Sequence, residues 1–285
     1  MTTPWSSRII SVLAGAALLG SAAACAKSGP TERDLIVTSE TGPVESVTAL
    51  IAKGADPNKA NADGWTPLLA ASQAGKDDVV AALIDKGAKT DTATPDGWTP
   101  LMAASKAGHA STVQTLLDKG ADANAKNKTH YTALMAAIEA KSKPTVDALV
   151  SKGADVNAVT DDGWTATMAA AKAGNAPIMQ ALLNAGADVN AQNKDGWTAL
   201  MAAADTGDEA TVNALIAKGA EVNAVTKDGW TPLMSAADKG HAGVARALIA
   251  KGADVNATNH EKKNALAFAE HGQHADVVAV LKKKA

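Results

Sequence analysis

The sequence contains a single cysteine, Cys25, so neither an internal disulfide framework nor a cysteine-based zinc cluster can be built from it. Aromatic residues are scarce at 3% although 46% of the chain is hydrophobic, so alanine and glycine fill much of the apolar share and large compact cores are not expected. Neither sign of charge dominates: 27 Lys and Arg stand against 30 Asp and Glu. The net charge of -3 offers no global field to nucleic acid or to an anionic bilayer. Motifs for chemistry are missing too, with no G-x-x-x-x-G-K-[ST], H-E-x-x-H, G-x-S-x-G or G-x-G-x-x-G. These absences exclude the common enzyme classes, and we expect no catalysis, no cofactor and no nucleic-acid partner.

A long uncharged run occurs at the start. Arg8 is the only charged residue before Lys27, and residues 9 to 26 between them are apolar or small. A basic beginning, an apolar stretch from Ile9 to Gly20 and small residues from Ser21 to Ala24 form an export-signal pattern. Residues 1–24 are therefore expected to be cleaved before Cys25, leaving 25–30 as a tether. Ala22-Ala23-Ala24-Cys25 resembles the lipobox of bacterial lipoproteins, departing from it at Ala22, where that family prefers leucine. The resemblance implies acylation of Cys25, membrane attachment through the lipidated N-terminus and a place in the periplasm or at the outer membrane. Cleavage with release and retention as an uncleaved anchor are the competing readings. The run is at the short end of the roughly 17 to 25 residues that span hydrocarbon, and its many Ala, Gly and Ser make a poor anchor.

What the rest of the chain has is a period. Trp65, Trp98, Tyr131, Trp164, Trp197 and Trp230 recur at a constant interval of 33, and Gly54, Gly87, Gly120, Gly153, Gly186, Gly219 and Gly252 keep the same step. In the unit beginning at Asp96, Thr99 suits an N-cap and Pro100 the first helical position. Gly108 ends the first helix, and Val113, Leu116 and Leu117 carry a second until Gly120 stops it. Asp-Gly pairs at 63, 96, 162, 195 and 228 supply hairpin turns between units. Such a helix pair cannot bury its apolar face alone, so the expected architecture is an all-α repeat solenoid in which each unit stacks on the next.

Asp96-Gly97-Trp98-Thr99-Pro100-Leu101, Ala103-Ala104, Gly108, Leu116-Leu117 and Gly120-Ala121-Asp122 resemble the ankyrin repeat. The resemblance implies a curved stack of β-hairpin turns and antiparallel helix pairs. It gives an N-terminal capping repeat at 31–60, six full repeats at 61–258 and a C-terminal capping repeat at 259–285, where Lys282 replaces an apolar residue. One departure recurs: Leu69, Met102, Met135, Met168, Met201 and Met234 stand where ankyrin repeats carry histidine. Core packing is the expected role of this row. Copper(I) ligation is the alternative, although stacked helices about 8 to 10 Å apart are too distant for neighbouring thioethers to share an ion. In the third repeat His130 and Lys141 replace glycines and Tyr131 replaces tryptophan, making it either a weak joint or a specialised one.

Ankyrin repeats bind proteins on the concave face, which implies a non-catalytic interaction scaffold, expected to be monomeric, whose partner could be a periplasmic enzyme that it sequesters. The expected partner-binding residues are the aromatic row Trp65, Trp98, Tyr131, Trp164, Trp197 and Trp230, with the variable inner-helix row Gln73, Lys106, Glu139, Lys172, Asp205 and Asp238. Structural stacking of the rings and ordinary solvation of the charges are the bland readings of those rows. His109 and His241, at second-helix starts, are assigned to packing. A small-ligand or metal binder using the aromatic row, the methionines or His271 and His274 is the alternative function; no metal site is expected.

Overall fold

A computed structural model describes residues 32–283, so Cys25 and the leader are outside the described residues. The described part contains sixteen helices in pairs. The first members are α1 (Glu32–Thr41), α3 (Pro67–Ala74), α5 (Pro100–Ala107), α7 (Ala133–Glu139), α9 (Ala166–Lys172), α11 (Ala199–Thr206), α13 (Pro232–Asp238) and α15 (Ala265–His271). Their partners are α2 (Val44–Ala52), α4 (Asp77–Asp85), α6 (Ala110–Asp118), α8 (Lys143–Ser151), α10 (Ala176–Asn184), α12 (Glu209–Ala217), α14 (Ala242–Ala250) and α16 (Ala275–Lys282). Odd helices stack on odd and even on even, giving two layers. The odd layer is the more closely packed, because alanines such as Ala103, Ala104, Ala202 and Ala203 face its joints, and unequal spacing of two layers bends a stack toward the tighter one.

Local chemistry sets each element. From α3 to α13 every odd helix starts at a threonine, from Thr66 to Thr231, whose hydroxyl accepts the N–H of the residue three positions on. Gly75, Gly108 and Gly207 end α3, α5 and α11 in the left-handed conformation. Leu69 and all five row methionines are buried, each touching the core through a side chain whose full burial contributes about 1.5 to 3 kcal/mol. The expected hairpins are present as turns closed by bonds such as Thr94 N–H to the Trp98 carbonyl, but among the described residues regular pairing reaches only the isolated bridges Lys126–Thr132 and Val159–Thr165. Each turn is spent on reversing the chain, which leaves no residues for a ladder.

Two sets of bonds tie neighbouring units together. The side chains of Asn58, Asn124, Asn157, Asn190 and Asn223 each donate to a glycine carbonyl in the next loop, and each accepts a backbone N–H from it. The tips of the turns are joined by Lys128, Asp161, Lys194, Lys227 and His260, whose N–H groups donate to Asp96, Thr129, Asp162, Asp195 and Asp228. Both sets fail in the connector between α4 and α5. Asp91 stands where the ladder requires asparagine and has no amide to donate, and Pro95 stands at the tip position without an N–H. Changing Asp91 to Asn should restore the missing pair of bonds and raise stability by about 1 kcal/mol, read from the urea midpoint.

The third unit carries strain where its sequence departs from glycine: His130 and Lys141 have φ of 58° and 55°. The C-terminal unit repeats the pattern with Lys262 and Gln273, at 61° and 58°. A left-handed non-glycine residue costs roughly 1 to 2 kcal/mol. His130→Gly with Lys141→Gly should therefore stabilise the third unit, and hydrogen exchange should show slower opening of residues 128–158 in the variant. Equal protection of that segment before and after the change would remove strain as the cause of any weakness there.

Candidate protein-binding face

The aromatic row sits on the turns that lead into the odd helices. Its backbone is fixed by a polar residue four positions earlier: Asn61, Asn127 and Asn193, or Thr94, Thr160 and Thr226, accept the N–H of the aromatic residue through their side chains. All six rings are half-buried, and Trp98, Trp164, Trp197 and Trp230 rest on the core. Both readings of the row therefore have physical content, since each ring has one side on the protein and one in water.

The rings are not equivalent. Trp98 and Tyr131 stack with centroids 5.9 Å apart and planes 17° from parallel, whereas Trp230 meets Phe268 at 4.3 Å and 56°. Trp164 and Trp197, between these two contacts, touch no other ring among the described residues. Among the described residues, only the Trp230 indole N–H finds a protein acceptor, the Ser235 hydroxyl at 2.7 Å. Burial, reinforced by the Glu139 carboxylate, pushes the Tyr131 phenol far above its usual value, so it stays a neutral hydroxyl.

Four members of the variable row meet in two pairs of opposite sign. Lys106 pairs with Glu139 at 2.5 Å, and Lys172 with Asp205 at 3.2 Å, each across one joint. Lys239, a residue not singled out from the sequence, pairs with Asp238 at 2.8 Å and lies 4.0 Å from Asp205; the hydrogen bond it donates to Asp238 leads in raising its ammonium above the ordinary value. Such exposed pairs contribute about 0 to 1 kcal/mol each, so they orient the row more than they hold the stack. Gln73 is exposed, and its backbone carbonyl accepts from His109 Nε2 at 3.2 Å.

His241 and His274 repeat that contact on the carbonyls of Asp205 and Asp238, at 3.0 and 2.9 Å. A carbonyl can only accept, so Nε2 carries the proton in each case. His274 is thus committed to its neighbour, and among the described residues no group of three His, Cys, Asp or Glu could hold a metal. The methionine row lies inside the core, out of reach of a ligand at the surface. Asp162, Asp195 and Asp228, read from the sequence as turn residues, present exposed carboxylates two residues before a tryptophan.

The family described as Ankyrin repeats (3 copies) matches the chain at residues 35–127, 95–160, 111–193, 134–226, 169–259 and 207–285. The chain belongs to the ankyrin repeat family. No curated protein matches it. Ankyrin repeats generally mediate protein–protein interaction, and proteins built from them are typically non-catalytic scaffolds. Among the described residues of this ankyrin repeat chain, no helix is long and apolar enough to cross a membrane.

Proposed function

We propose that the chain is a binding scaffold of the bacterial cell envelope that holds a partner protein on the odd-helix side of its stack, tethered by lipid at Cys25. The observation that carries this reading is the row of half-buried aromatic rings on successive turns, beside an inner-helix row of charges. Tryptophan and tyrosine are the residue types that dominate binding hot spots, and rings pre-set by turn bonds lose little freedom on binding. The tether rests on Ala22-Ala23-Ala24-Cys25 alone. Capture from envelope extracts with the full chain is expected to retain a partner that is lost when Trp164 and Trp197 are changed together. Retention of the same partner by that variant would overturn the assignment of the face. The tether is tested by mass: an N-terminal peptide beginning at an unmodified Cys25 would exclude it.

A further inference from the structure

Three departures from the repeat meet in the connector between α4 and α5, residues 86–99. At 33-residue intervals, Asp56, Asp122, Asp155, Asp188 and Asp254 each accept the backbone N–H two positions on through a carboxylate oxygen. Lys89 stands at that position and has no oxygen to offer. Asp91 and Pro95 then remove the rung to the following connector and the tie to the preceding one. Among the described residues, no backbone N–H from Thr90 to Ala93 donates a well-formed hydrogen bond, a longer unbound run than in any other connector; the Thr92 hydroxyl alone donates, to the Lys89 carbonyl at 3.2 Å. The connector keeps one rung, from Asn58, and one tie, from Lys128, where the connector at 152–165 has two of each.

An endoprotease grips an extended stretch of chain by its backbone groups, so it cuts where those groups are unbound and the segment opens at little cost. Lys89 is exposed, as are Asp91 and Ala93. The side chain that a lysine-specific protease reads therefore stands directly before the unbound run. A cut after Lys89 also leaves Asn58 and both of its partners, Gly87 and Lys89, on one fragment. With no tie at Pro95, neither repeated set of bonds crosses the cut. The two fragments are then joined by helix packing and by the side chains of His109, Thr112 and Lys119, which reach Gln73, Asp77 and Asp85.

We infer that the Lys89–Thr90 bond is a processing site for an endoprotease that cuts after lysine. Water adds across the peptide bond, leaving a carboxylate on Lys89 and an ammonium on Thr90. The division separates two roles: α1 to α4 stay on the N-terminal side, whereas residues 90–285 carry the aromatic row from Trp98 to Trp230 and the charges from Lys106 to Asp238. The consequence rests on the tethered-scaffold reading above, under which the cut frees the binding face from the membrane.

The test is a brief native digestion of the full chain with a lysine-specific endoprotease, read by intact mass. Every connector carries a lysine, so the chain supplies its own controls. The first cut within residues 32–281 should fall after Lys89 and yield 90–285, and a first cut after any other lysine in that range overturns the site. Asp91→Asn with Pro95→Asp, the pair present as Asn157 and Asp161, keeps Lys89 while restoring the rung and the tie. It should slow this cut at least about tenfold, because cleavage follows the population of the open form. An unchanged rate overturns the assignment. In membranes carrying the lipidated chain, the 90–285 fragment should pass to the supernatant, and its retention after complete cutting overturns release. A chain that proves unlipidated but is still cut first after Lys89 keeps the site and removes the tether reading.

Discussion

Replacing Trp164 and Trp197 together by alanine is expected to lower the unfolding free energy by roughly 4 kcal/mol and to weaken partner binding in the same protein. Full truncation of a buried aromatic costs about 3 to 5 kcal/mol, and these half-buried rings should cost near half of that each. The two sites lie on neighbouring units resting on one continuous core, so their effects need not add. Urea unfolding followed by circular dichroism measures the first quantity, and affinity at a temperature where the variant is still folded measures the second. An unchanged midpoint would mean that the rings contribute nothing to the core on which they rest. Normal affinity in the folded variant would remove them from recognition.

Gly207→Ala should destabilise the chain by about 3 kcal/mol, well beyond its counterpart one unit earlier. Gly207 ends α11 at φ 77°, and a Cβ there would approach His241 Nδ1 and Cε1 to 2.6 Å. The ring would have to leave, giving up its bond to the Asp205 carbonyl and its seat on the preceding unit. Left-handed strain of roughly 1 to 2 kcal/mol is joined by about 1 kcal/mol for the bond and more for the packing. Gly174, at the same position of the preceding unit, has φ 61° and nothing within 4 Å of an added Cβ, so Gly174→Ala should show the strain alone. In a His241→Ala background the difference between the two glycines should disappear. If it persists in thermal melts, the contact with His241 is not its source.

Much of this architecture was legible because its determinants are local. A threonine that caps a helix and a glycine that ends one act within four residues, and the constant interval turns each into a statement about the next unit. The interval also marked the asparagine ladder and reached Lys262 and Gln273, but those residues read as ordinary polar loops. Their role depends on what the adjoining unit presents, such as a glycine carbonyl 29 residues on. The face was legible as a row and not as a surface. Nothing in the spacing tells Trp98, stacked on Tyr131, from Trp197, whose ring is left open, because the lean of a side chain is settled by its neighbours in space. The charges of Lys106 and Glu139 were visible as alternation, whereas their pairing needed the joint between α5 and α7.

The connector between α4 and α5 gives the molecule a preferred place to yield under load. Tension applied along such a stack, as in the proposed tethered scaffold, passes from unit to unit through the bonds that join neighbours. The rung missing at Asp91 belongs to the joint with the following turn, which keeps its tip bond from Lys128 to Asp96. The tie missing at Pro95 belongs to the joint with the preceding turn, which keeps its Asn58 rung, so two adjacent joints are each held by one set of bonds where the later joints are held by both. Under tension along the stack those two joints are expected to extend first, and Asp91→Asn would leave only the joint before it so weakened.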